Sequence, residues 1–327
     1  MNRFLIVLLV IGGLGCALWF LGPRERTSGS SAFDASQIGP DIDAYLFRSE
    51  RGVPDLVRGA QKHVLWADPV AKSKTPLSLV YVHGFSATLE EVRPVPDDIA
   101  RTLGANLFYT RLKGHGRNGA AMGEARYLDW RDDLIEAVEI GRRIGEKVIL
   151  IGTSTGGSLI TKGLTEAATT ADVAGVILLS PNFEVQAQGA ALLNWPFARN
   201  FVPLVLGEQR FFAPENTEHG KWWTTRYPTR ALIPMAATVK VANDLDHSRI
   251  TTPALFLFSD ADQVVRAERT RAVAAAWGGP VSLWPLEAGP NDDRQSHVIA
   301  GKILSPDLSS EVVKRILEWV RERGLAR

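Results

Sequence analysis

A mostly parallel β-sheet flanked by helices, an α/β fold with one inserted cap, is what this sequence predicts, and three observations predict it. From about Asp41 short apolar runs alternate with longer amphipathic stretches, as in a sheet whose parallel strands are joined by crossover helices. The run Val148-Ile-Leu-Ile-Gly-Thr-Ser-Thr-Gly156 passes from apolar residues into a Gly-x-Ser-x-Gly turn ahead of a helical stretch, which marks a sharp strand-to-helix corner. Between Pro181 and about Ile250 the alternation stops, as it does where a segment is inserted between two strands.

At the N-terminus, Phe4 to Gly22 is almost continuously apolar after Arg3, close to the ~20 residues that span a bilayer. An uncleaved membrane anchor is therefore expected over 1–31. Its tether is Arg24 to Ser31, rich in Ser, Gly and charge. It would place the folded domain outside the cytoplasm, in a periplasmic location, although Arg24 and Arg26 lean against that orientation. The alternatives are a cleaved secretory signal or a lipoprotein signal with Cys16 acylated.

The core is expected over 41–180 and 251–327, with the cap over 181–250. Strands are read at Lys62 to Ala67, Leu77 to His83, Asn106 to Tyr109, Lys147 to Gly152, Gly175 to Ser180, Ala254 to Ser259 and Val281 to Trp284. Helices are read at Glu90 to Leu103, Leu128 to Ile144, Gly157 to Thr165, Ala267 to Trp277 and Ser310 to Arg323. Ile135, Val138 and Ile144, like Val312, Ile316 and Val320, fall near helical spacing and read as core-facing stripes. The 181–250 segment gathers Trp195, Phe197, Phe201, Phe211, Phe212, Trp222, Trp223 and Tyr227 among several prolines, enough for a small core of its own and an apolar wall over a site.

Composition narrows the function. A net charge of +1 over 327 residues, with no basic stripe, argues against nucleic acid as partner. Cys16 is the only cysteine, so no internal disulfide is available. No His/Asp/Glu cluster has metal-ligand spacing, and no metal or cofactor is expected.

The glycines flanking Ser154 let strand and helix approach closely while the serine hydroxyl stays exposed on the corner. A hydroxyl needs a base to become a nucleophile. His297, in the loop after the Val281 strand, is the only histidine after the acid loop. Leu255-Phe-Leu-Phe-Ser-Asp260-Ala-Asp262 ends a strand in two carboxylates. Asp262 is preferred as the orienting acid because Val264 and Val265 follow to anchor it, with Asp260 in reserve. Phe85, after the His83-Gly84 turn, and Thr155, after the nucleophile, are assigned as backbone donors to an oxyanion. Each such donor contributes about 3 to 4 kcal/mol. His83 reads as a turn-shaping residue, and His115 borders the pocket.

With Ser154, Asp262 and His297 in that order, together with His83-Gly84-Phe85 and Gly114-His115-Gly116-Arg117, the chain resembles the α/β-hydrolase superfamily from about Leu77 to Trp319, in particular its carboxylesterase and monoacylglycerol-lipase-like branch. The resemblance implies a serine hydrolase acting on small-molecule esters, with 181–250 as its lid. Thr153 and Thr155 around the serine, and Ser259 before the acid loop, depart from the familiar pattern and leave the substrate class open. The rival readings are a thioesterase or other acyl hydrolase on the same scaffold, or a non-catalytic module that binds an apolar ligand.

Overall fold

A computed structural model describes residues 3–325, with the side chains of 3 and 5–11 outside the description. Its strands are β1 (His63–Leu65), β2 (Thr75–Val82), β3 (Asn106–Tyr109), β4 (Gly145–Thr153), β5 (Val173–Leu179), β6 (Gln209–Phe211), β7 (Arg226–Pro228), β8 (Ala254–Phe258) and β9 (Val281–Pro285). Its helices are α1 (Arg3–Leu21), α2 (Ile42–Glu50), α3 (Val95–Leu103), α4 (Gly119–Met122), α5 (Tyr127–Ile144), α6 (Thr155–Gly163), α7 (Ala167–Thr170), α8 (Ala198–Leu206), α9 (Thr217–Trp222), α10 (Leu232–Asn243), α11 (Ala267–Ala276) and α12 (Pro306–Glu322).

Among the described residues a seven-stranded sheet runs in the order β1-β3-β2-β4-β5-β8-β9. Only the edge strand β1 pairs antiparallel, with β3; the other neighbours are parallel. Alternate residues of a strand face opposite sides, so the central strands feed two cores. Val80, Val82, Val148 and Leu150 join Trp130, Leu134 and Val138 of α5 on one face. Leu79, Tyr81, Ile149 and Ile151 join Ile99 of α3 and Val312, Ile316 and Trp319 of α12 on the other. Each fully buried aliphatic side chain contributes about 1.5 to 3 kcal/mol, and this two-sided burial holds the strand ends that carry the site.

Helix boundaries shift where proline intervenes. The helix expected from Glu90 starts at Val95, after a 3-10 turn at Leu89–Glu91, because Pro94 and Pro96 lack the N–H groups an uninterrupted helix needs. The last helix starts at Pro306 instead of Ser310; a proline in the first turn loses no intrahelical bond.

The membrane anchor expected at Phe4 to Gly22 is corrected. Among the described residues no helix is long and apolar enough to cross a membrane. Residues 5–11 of the expected span lie outside the described side chains. The last turn of α1 is also engaged with the protein itself. Trp19 meets Trp195 edge-on at 5.3 Å, and Arg24 lies over the Trp19 ring while donating to its carbonyl at 2.6 Å. The transmembrane helix, the signal, the membrane partnership and the periplasmic, lipoprotein or secreted placement built on them are withdrawn.

The segment read as a loose tether is bound along α5. Glu25, its side chain 4% exposed, accepts from Tyr127 N at 3.0 Å, Arg126 Nη1 at 3.1 Å, and Arg199 Nε and Nη2 at 3.0 and 2.9 Å. Asp132 accepts from Ser31 Oγ and Ala32 N, and Arg131 donates to Gly29 O. One buried carboxylate thus joins the N-terminal strap, the start of α5 and helix α8 of the insertion.

Candidate active site

Ser154 sits between β4 and α6 at φ 51°, ψ −118°, a conformation that costs a non-glycine residue about 1 to 3 kcal/mol. The surroundings over-determine it. Ser154 N donates to Leu179 O at 2.9 Å, and Ser154 O accepts from Gly157 N and Asn182 N, both at 3.0 Å. Gly156 makes the turn feasible, since a Cβ there would stand 2.7 Å from the His83 carbonyl oxygen and closer still to that of Val82.

His297 and Asp262 arrive from loops after β9 and β8. His297 Nδ1 donates to Asp262 Oδ2 at 2.8 Å, which leaves Nε2 as the acceptor for Ser154 Oγ at 3.0 Å. Asp262 is 4% exposed, and its other oxygen accepts from Val264 N and Val265 N, both at 2.8 Å. Asp260 lies elsewhere, on the surface in an ion pair with Arg271 at 2.6 Å. Burial works against a charged His297, but Asp262, with Asp293 and Glu91, outweighs it and raises the imidazole above its ordinary 6.5.

Gly84, the residue before Phe85, lies close to the serine, a Cβ on it standing 3.2 Å from Ser154 Cβ, and Thr155 follows the serine in the chain. Thr155 N opens α6, where an N–H has no intrahelical acceptor, and its buried hydroxyl has no partner among the described residues. The Phe85 ring meets Tyr227 of β7 at 5.2 Å and His115 at 5.9 Å. Next to it, Ser86 O accepts from Thr224 N at 2.7 Å, so the insertion touches the turn that carries Phe85. His83 is buried, with Nδ1 on Gly84 O and Nε2 accepting from Leu112 N at 3.1 Å. Burial pushes its pKa down to about 4, so it holds the turn as a neutral ring.

Two groups escaped sequence reasoning. Asp293 accepts from His297 N at 3.0 Å and Val298 N at 2.7 Å and fixes the histidine loop; its only signal is an acid four residues ahead of the histidine. Glu91, in the 3-10 turn before α3, accepts from Gly84 N at 2.8 Å, and nothing local in sequence marks it.

A parallel sheet with a strained serine on the corner between its central strand and the next helix, an imidazole against the hydroxyl and a carboxylate behind the imidazole defines an α/β-hydrolase. A family model described as serine aminopeptidase, S33, matches residues 74–281, and the chain belongs to that hydrolase family. It is 25% identical over 200 residues to a thermostable monoacylglycerol lipase of Bacillus sp. (strain H-257), covering 61% of this chain and 76% of that one. Among solved structures, one reported for LipS and LipT, two metagenome-derived lipolytic enzymes, superposes with a TM-score of 0.66 at 19% identity over 82% of this chain and 99% of that one. A monoacylglycerol lipase of Paleococcus ferrophilus superposes with a TM-score of 0.57 at 16% identity over 80% and 98%. At such identities these structures speak for the fold.

Proposed function

We propose that this hydrolase cleaves carboxylic esters of apolar acyl groups through an acyl-enzyme on Ser154. In this reading Ser154 Oγ attacks the acyl carbon as His297 Nε2 takes its proton, and the N–H groups of Phe85 and Thr155 hold the oxyanion. The imidazolium, stabilised by Asp262, protonates the departing alkoxide as the C–O bond breaks. Water, deprotonated in turn by His297, attacks the acyl-enzyme, and the carboxylic acid leaves as Ser154 recovers its proton.

The observation that carries this reading is the unbroken hydrogen-bonded line from Asp262 through His297 to a serine at positive φ. The similarity to a monoacylglycerol lipase and the aromatic surround of Phe85 and Tyr227 favour an acyl ester as substrate, with 181–250 acting as lid.

The test is labelling with a fluorophosphonate probe followed by peptide mapping. Modification of Ser154, absent in Ser154→Ala, is expected; an unmodified native protein ends the proposal. A panel of acyl esters, thioesters and monoacylglycerols then separates esterase from thioesterase.

A further inference from the structure

Resting on the ester-hydrolase reading, we propose that Glu91 is a positioning residue of the reaction, a buried carboxyl that fixes the oxyanion turn against the nucleophile's strand. Glu91 is 3% exposed. Its Oε2 accepts from Gly84 N at 2.8 Å and from Tyr81 Oη at 2.9 Å. With that proton committed, Tyr81 Oη accepts from Thr153 Oγ1 at 3.0 Å. Gly84 immediately precedes Phe85, and Thr153 immediately precedes Ser154. One carboxylate oxygen therefore ties the residue before an oxyanion donor to the residue before the nucleophile. A Cβ on Gly84 would stand 2.7 Å from Glu91 Oε1 and 3.2 Å from Ser154 Cβ, so little more than that Cα separates the two side chains. From the histidine side, Gly301 at φ +101° comes so near that its Cβ would lie 2.6 Å from the Glu91 carbonyl oxygen. Elbow, oxyanion turn and histidine loop converge on this residue.

Facing Glu91 are Tyr81 from β2, with Tyr109 of β3 behind it and itself bound to Asp97 of α3, and His297 from the loop after β9. Beyond His297 stand Asp262 and Asp293. The neighbouring Glu90 is taken by Arg93 at 3.0 Å and Lys302 at 3.2 Å. Burial pushes the Glu91 carboxyl up to about 7, into the range where a histidine base titrates. In the acid range where that base is charged the carboxyl is itself mostly neutral, and its part is to hold the turn.

The experiment compares kcat and KM for p-nitrophenyl esters in native protein, Glu91→Gln and Glu91→Ala, with fluorophosphonate labelling of Ser154 in all three. The glutamine keeps an oxygen for Gly84 N–H and Tyr81 Oη but removes the charge. It is expected to keep kcat within about threefold of native. A labelled glutamine variant that falls as far as Glu91→Ala overturns the positioning role, while the ester-hydrolase reading stands. Absence of label in the native protein overturns both. Glu91→Ala, which strands two buried donors, is expected to lose about tenfold in kcat with KM held within about twofold; an unchanged kcat overturns the positioning role.

Discussion

The central sheet and the 181–250 insertion are held together on different terms. Val80, Tyr81, Val82 and Leu79 of β2 are 0% exposed, covered from both faces. The insertion buries Met235, Ala237 and Ala242 of α10 in the sheet's own core, but its outer part, 198–228, leaves Leu204, Val205 and Phe211 81%, 66% and 70% exposed and is fastened at discrete points: Arg199 on Glu25, Thr224 on Ser86 and Tyr227 on Phe85. A close-packed frame fixes side chains to fractions of an ångström, whereas a segment attached at a few points opens locally at low cost. Under the proposed ester-hydrolase reading, the contrast puts bond-making geometry in the frame and selection of the acyl group in the insertion.

The sharpest test of that division is Ser154→Ala, expected to reduce ester turnover by about 10⁴-fold or more while the denaturation midpoint stays near the native value. Turnover at the parent rate breaks it at once. Next comes Gly156→Ala, where the added methyl meets the carbonyl oxygens of Val82 and His83. Backbone in the frame cannot yield, so a loss of about 3 kcal/mol in urea denaturation is expected. Glu25→Ala leaves Arg199 and Tyr127 N without their acceptor and is expected to cost about 2 kcal/mol, with faster proteolysis inside 198–211 than anywhere in the sheet. Cleavage at uniform rates erases the contrast.

A smaller effect is the acid limb of kcat/KM. Because the base must be neutral and the folded imidazole is raised above 6.5, the rate should fall tenfold per pH unit below a midpoint that lies above the usual histidine value. A midpoint below 6.5 refutes the pairing with Asp262. Smallest is Leu204→Ser on the exposed face of α8, expected within about 0.5 kcal/mol of native stability; a larger loss means that this face is covered.

Much of the frame is legible from local pattern. The apolar runs of β4, β5 and β8 are too apolar for anything but strands buried on both faces, and the elbow glycines announce a close crossing. Ser154, His297 and Asp262 are named from residue type and chain order, and they lie within hydrogen-bond reach of one another. What stays hidden depends on distant partners. Glu91 looks like an ordinary surface acid because Tyr81 and the His297 loop, which give it meaning, are not adjacent to it in sequence. Arg24 to Ser31 has the composition of a linker, yet Asp132 and Arg199 hold it from about 100 and 174 positions away. The insertion's helices are obscured by Pro203 and Pro234, which a periodicity reading takes as breaks. The apolar N-terminal run has the composition of a span, and composition alone does not show what its last turn rests on.

The Glu25 junction has a practical side for anyone handling this protein. Trimming the chain at residue 32 to obtain a shorter version removes the counter-charge that Arg199 and Arg126 share, so the change is felt in α8, far along the polypeptide. Purification tags are better fused after α12, and a truncated preparation with altered chain-length preference would reflect a missing staple instead of a different catalyst.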